Sequence, residues 1–299
     1  MDATDDGGAA PGTQTSVFVQ GSPDPGGLVV SAVGYRTVGA TPGVHRGLPS
    51  PYLTLIFSLE GPVVGSFSRE QALGPGAASR DIVLGGLHQA PAYVRQPPVQ
   101  SGLQLALHPL AARALLGPPA GALSTDIGSG ADVLGPGAVE LHERLSAQPD
   151  WEARFALLSG YLRRRVADRR RDRVRPEVVE AWAHLTRRRG QVTLEDLARH
   201  VALGPRRLTG LFRAETGVTP KQAARLIRFQ HARDAVVRSV TAGAPPDLAR
   251  IAADAGYYDH SHMVRDFRQY TGLSPTAWIS EECQNIQAGG HRYGEEWDT

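Results

Sequence analysis

The sequence predicts an α+β multidomain protein. Its N-terminal part reads as a mainly antiparallel, barrel-like β domain with helices, and its C-terminal part as an all-α domain of two helix-turn-helix motifs joined by a long helix. Three observations carry this. Short apolar or alternating runs divided by Gly and Pro fill residues 28–107, the pattern of strands. Helical spacing of apolar residues takes over after Pro109. The basic charge is concentrated: residues 163–279 hold 23 Lys and Arg against 12 Asp and Glu, net +11, whereas 1–162 are net −5 and 280–299 net −4. A segment this basic is the electrostatic footprint of a domain that binds a polyanion.

At 299 residues the chain can form two domains, each with its own core. Its one cysteine, Cys283, excludes a disulfide framework and a thiolate zinc cluster and suits a reducing compartment. No apolar run approaches the roughly 20 residues that span a bilayer, and the acidic start MDATDDGGAAPGTQT lacks a signal peptide's basic end. The expected location is the cytoplasm, on the bacterial nucleoid through DNA, with no membrane partner.

Residues 1–26, rich in Gly, Pro, Asp and Thr, read as a flexible arm. From 27 to 166 extends the expected sensory and dimerisation domain. LVVSAVGY, YLTLIFSL, DIVLGGL, AYVRQ and GLQLALHPL read as its strands; alternation places Leu53, Leu55 and Phe57 on one face, and likewise Leu103, Leu105 and Leu107. Helices follow at Ala111–Leu116, Ala138–Ser146 and Trp151 to about Val166. In the last, Phe155, Leu158, Leu162 and Val166 form an apolar stripe that serves either as plain core or as a dimer contact. His45, His88 and His108 stand apart, without a His-x-His pair, so no metal site and no cofactor is expected there. Residues 167–175, ADRRRDRVR, read as an Arg-rich linker able to touch phosphates without reading sequence.

The domain from 176 to 280 begins with Pro176 at a helix start, followed by Val178, Val179, Trp182 and Leu185 on an apolar side and a stop at Gly190. Thr193, with Asp196 three residues on, caps the next helix. VTLEDLARHVALGPRRLTGLFRAETGVTP, Val192 to Pro220, and IAADAGYYDHSHMVRDFRQYTGLSPTAW, Ile251 to Trp278, share one layout. Each has a short helix, a turn and a second helix whose core side is Leu208, Leu211 and Phe212 in one and Met263 and Phe267 in the other. Their endings match, Gly217-Val218-Thr219-Pro220 against Gly272-Leu273-Ser274-Pro275. Gly256 suits a left-handed cap and Asp259 an N-cap. Pro220 to about Ser239 reads as one helix; 20 residues at 1.5 Å make about 30 Å, near the roughly 34 Å turn of B-DNA. Residues 281–299 read as an acidic disordered tail.

Opposite the apolar sides lie Ser261, Arg265 and Arg268 in the second motif and Arg206, Gly210 and Arg213 in the first, where Thr209 flanks them. Gly210 costs its helix about 1 kcal/mol relative to Ala and puts no side chain at the centre of that face. The second motif resembles AraC/XylS-type transcription regulators through Ile251-Ala252, Gly256-Tyr257, Asp259, Ser261-His262, Arg265, Phe267, Gly272 and Ser274-Pro275, and the resemblance extends over about Pro176 to Ile279. It implies that His260, Ser261 and Arg265 face base edges and that His262 lies near the DNA backbone. HRGLPSPYLTLIFSLEGPV, His45 to Val63, resembles the sensory half of some actinobacterial members of that group, which implies a cupin-like barrel.

The expected function is therefore sequence-specific transcription regulation, activation being the commoner behaviour of the resembled family, with no catalytic residues. The expected partners are double-stranded promoter DNA and, as further candidates, RNA polymerase, a small-molecule effector whose binding residues stay unknown, and a second copy of the chain joined through its N-terminal region. The alternative is an enzyme with a catalytic barrel and an appended DNA-binding domain. A fused repair methyltransferase would need a reactive cysteine and a cysteine-rich zinc site, against which stands the single Cys283.

Overall fold

In the computed structural model, which describes residues 14–21, 27–123, 127–168 and 174–287, every strand pairing is antiparallel. Among the described residues ten strands are formed: β1 Thr15–Gly21, β2 Val29–Val38, β3 Gly43–Gly47, β4 Leu53–Ser58, β5 Val63–Ser66, β6 Ala78–Arg80, β7 Ile82–Gly85, β8 Ala92–Gln96, β9 Val99–Leu107 and β10 Gly128–Ser129. Their hydrogen bonds join them into a six-stranded sheet, β1-β2-β9-β4-β7-β10, and a four-stranded one, β3-β8-β5-β6. The period-2 pattern decides the faces: Leu53, Leu55 and Phe57 of β4 and Leu103, Leu105 and Leu107 of β9 are all buried in one core.

That core lies against helices α2 Ala112–Leu115, α3 Gly130–Leu134, α4 Pro136–Ser146 and α5 Trp151–Asp168; a short α1, Arg69–Leu73, sits between the strands of the second sheet in sequence. The α5 stripe is intramolecular core: Leu158 and Leu162 are buried in it, with Phe155 and Val166 packed alongside. β1 departs from the loose arm expected of residues 1–26. Its antiparallel register with β2 holds it as an edge strand, with Phe18 and Val19 half-buried, and the Phe155 ring lies so close over Gly21 that a Cβ there would clash. The rest of the expected arm (1–13 and 22–26), the middle of the Arg-rich linker (169–173) and the end of the tail (288–299) lie outside the described residues.

The C-terminal part is helical throughout: α6 Pro176–Arg187, α7 Leu194–His200, α8 Pro205–Thr216, α9 Pro220–Thr241, α10 Leu248–Asp254, α11 His260–Thr271 and α12 Pro275–Gln287. Two of its caps, Thr193 and Asp259, are the expected residues. Thr193 and Asp259 accept hydrogen bonds from Asp196 N and His262 N, and Thr219 and Gln222 form a full capping box. Val179 is a correction: it is exposed, because Val178, Ala181, Trp182 and Leu185 at i, i+3, i+4 and i+7 already fill the buried sector of α6. The tail boundary also moves, since α12 continues to Gln287 and Glu281 on it makes an ion pair with Arg46 of β3.

α9 buries opposite faces in two different cores. Ala223, Ala224 and Ile227 pack with α6, α7 and α8, whereas Phe229, Ala232, Val236 and Val240 pack with α10, α11 and Trp278 of α12. The N-terminal part closes against both. Leu87, in the loop after β7, packs against all three cores; Arg113 makes a two-pronged ion pair with Glu215 at 2.8 and 2.9 Å; and Gly121 lies against the Ala214 carbonyl so closely that no Cβ fits.

His108 stands in this seam, its ring edge-on to Trp182 at 5.6 Å and its Nδ1 accepting from Leu110 N at 3.2 Å. Burial lowers its pKa from the ordinary 6.5 to about 4. The folded chain thus holds this imidazole neutral while an unfolded one protonates near 6.5, so between these values unfolding takes up a proton and stability rises with pH. Its contribution is whole above about 6.5 and is lost as pH falls to about 4. Replacing His108 with Gln, which keeps a polar group but cannot titrate, is expected to flatten the fall in thermal midpoint across that window, measured by scanning fluorimetry at a series of pH values.

Candidate nucleic-acid interface

The two motifs are built alike at the level of atoms. Leu208 and Phe212 on α8 correspond to Met263 and Phe267 on α11, and all four are fully buried. Each helix ends in a threonine whose hydroxyl donates to the carbonyl four residues back, Thr216 to Phe212 O at 2.8 Å and Thr271 to Phe267 O at 2.7 Å. In each, the amide two residues later (Val218, Leu273) donates to the same hydroxyl. Gly217 and Gly272 then turn the chain with φ of +85° and +78°. α8 and α11 are therefore equivalent helices with equivalent outward faces.

On α11, His260, Ser261, Arg265 and Arg268 are all exposed. Arg265 lies along its own helix, with Nε 3.4 Å from the Ser261 carbonyl. His262 is half-buried, its ring edge-on to buried Tyr257 at 5.2 Å, a placement at the margin of the face. On α8, Arg206, Gly210 and Arg213 are exposed, and no atom lies within 4 Å of where a Cβ on Gly210 would stand. Thr209 is half-buried and its hydroxyl donates to the Pro205 carbonyl at 2.8 Å, so what it offers outward is acceptor capacity. All nine expected residues thus fall on two equivalent helices, seven of them exposed and Thr209 and His262 half-buried.

Sequence reading passed over two further groups. Arg207, beside Arg206, is exposed at the start of α8. Tyr258, in the turn before α11, is 94% exposed, although an aromatic side chain normally finds some cover. Its signal lay in the pair Tyr257-Tyr258: the first ring is buried under the motif, which leaves the second no place in the core.

α11 is anchored from behind. Asp266, 1% exposed, accepts from Arg225 of α9 at 2.6 Å, and the same Arg225 nitrogen donates to Gln269 Oε1 at 2.8 Å. Removing Asp266 would leave the half-buried Arg225 without its charged partner on α11.

Arg265→Ala is expected to relax base preference and cost about 1–3 kcal/mol of binding to the preferred site, read by competition among single-base variants. Gly210→Ala, with open space for its methyl group, should stabilise the fold by up to about 1 kcal/mol in a denaturant titration. Loss of stability in that variant would mean that α8 is not free at this point.

A family model described as a helix-turn-helix domain matches residues 197–281, from α7 into α12. No curated protein matches the chain. Among solved structures the chain is similar to ToxT from Vibrio cholerae, at 10% identity and a TM-score of 0.47 over 83% of this chain and 97% of that one. A structure of ToxT with an unsaturated fatty acid bound is 9% identical, with a TM-score of 0.46 over 89% of this chain and 95% of that one. The C-terminal domain of AraT, a response regulator from Geobacillus stearothermophilus, is 19% identical, with a TM-score of 0.31 over 43% of this chain and 95% of that one. Residues 197–281 are a helix-turn-helix domain.

Proposed function

We propose that α8 and α11 enter successive major grooves on one side of the duplex, and that the N-terminal part acts as a sensory platform holding both helices from behind. One observation carries this reading: the contacts of the N-terminal part fall on the C-terminal ends of the two helices. Glu215 and the Ala214 carbonyl of α8 meet Arg113 and Gly121, while Gln269 and Tyr270 of α11 meet Gln89. The opposite ends, with Arg206 and with His260 and Ser261, stay exposed, and it is the first turns of a recognition helix that reach base edges. At 22 residues α9 is about 33 Å long, close to one turn of B-DNA.

In this reading His260, Ser261 and Arg265 read bases, His262 and Arg268 sit by the backbone, and Arg206, Thr209 and Arg213 hold the first half-site, where Gly210 lets the helix approach closely. The sensory unit is residues 27–166, with a cupin-like arrangement of its two sheets, and the DNA-binding unit is residues 176–280. A polar cleft of about 330 Å³, open to solvent, lies near the start of α5 and is lined by Arg36, Glu60, Trp151 and Arg154 among others. RNA polymerase and a second copy of the chain complete the proposed partners.

The test is binding of the full chain to fragments of its own upstream region against random duplex of equal length, at several salt concentrations. Selective binding supports the reading, and equal affinity for both would remove specific readout. Arg113→Ala, which leaves the DNA face untouched, is expected to weaken specific binding by about threefold to tenfold because the far end of α8 loses one of the contacts that fasten it to the N-terminal part. Unchanged affinity would reduce the seam to a packing contact.

A further inference from the structure

Outside the DNA face, one cluster of chemically able side chains has no part in the reading above. Glu180 and His184 stand one turn apart on α6 and so share a face, and His200, the last residue of α7, comes up against them. His200 Nε2 lies 2.7 Å from Glu180 Oε1, and the two imidazole centroids are 3.9 Å apart with the rings tilted by 31°. One donor atom from each residue lies within 4.8 Å of those of the other two, and among the described residues no other trio of His, Cys, Asp or Glu does this.

We propose that Glu180, His184 and His200 bind a divalent cation of the zinc class, which clamps α6 to α7 and steadies the supporting helix of the first motif. Two imidazoles and a carboxylate are the donor set that such a borderline-soft ion takes, with a fourth position left to water. Tetrahedral bonds of about 2.0–2.1 Å place donors about 3.3 Å apart, so side chains already within 4.8 Å need only small rotations, which their partial exposure permits.

The protonation states agree. His184 is held below the ordinary histidine value by its burial first, then by His200, Arg187 and Arg188 around it, so at neutral pH it offers a free lone pair. Glu180 is held below the usual carboxylate range by hydrogen bonds from His200 and Arg187, so it is ionised. Arg187, whose Nη2 donates to Glu180 Oε1 at 2.6 Å, competes with a metal for that oxygen. The clamp bears on the DNA-binding unit because α7 contributes Leu197 and Ala198 to the core that seats Leu208 and Phe212 of α8.

The measurement is titration of zinc alone into the chelator-stripped full chain, by calorimetry and by thermal unfolding, without DNA, so that it stands or falls separately from the reading of the DNA face. The wild type is expected to take up one more equivalent of zinc than the double variant H184Q/H200Q, and its thermal midpoint to rise with zinc where that of the double variant does not. His200→Gln alone, a change at an exposed position, should weaken binding roughly tenfold or more. Arg187→Ala should act in the opposite sense and tighten binding by about twofold to fivefold, by freeing Glu180 from an exposed ion pair. Equal stoichiometry and equal thermal response in wild type and double variant would overturn the site. No tightening in Arg187→Ala would remove Glu180 from it and with that the three-donor proposal.

Discussion

The constraint on which the C-terminal half depends is that α9 is buried on two opposite faces. Seven of its residues cited above are divided between two cores, those near its start packed under α8 and those further on packed under α11. A helix buried on opposite faces cannot roll or slide without opening one core or the other, and close-packed interiors resist that. The two outward helices are thereby held at a separation set by the length of α9. Asp266 and Arg225 add a polar peg on the second side, placed where a carboxylate with 1% exposure must keep its partner.

The N-terminal half exploits the same rigidity. Leu87 sits where all three cores meet, and the Arg113–Glu215 pair and the close passage of Gly121 past Ala214 fasten the far end of α8. Arg46 reaches Glu281 at the last helix. These contacts leave the arginines of the outward faces in water, which is costly for nothing in the free protein and favourable when phosphates replace that water and release their counterions. Because both halves share buried surface, a change in the packing of the first has a direct mechanical route to the second.

Much of the candidate interface was legible because it rests on local rules. The matching endings at Gly217 and Gly272, the caps at Thr193 and Asp259, and the pairs Leu208–Phe212 and Met263–Phe267 all depend on spacings within a helix or a turn. The strands at Leu53–Ser58 and Val99–Leu107 declared themselves through alternation. What escaped was settled by distant neighbours. β1 is a strand because β2 and Phe155 hold it, although the Gly-, Pro- and Asp-rich residues around it read as a loose arm; Val179 is exposed because four better-placed residues fill the sector; Tyr258 is bare while Tyr257 beside it is buried.

The histidines show the division most clearly. From the sequence, Glu180 and His184 are neighbours on one helix face and His200 is merely a residue of the next helix, so three donor groups could not be seen as one cluster. The sequence alone determined the paired motifs, their basic outward faces and the strand-rich first half, because periodicity, caps and charge are properties of contiguous residues. Only the tertiary structure decided that α9 serves two cores, that the first half grips both outward helices from behind, and that His200 meets Glu180 and His184, because each of these joins residues whose proximity no local rule encodes.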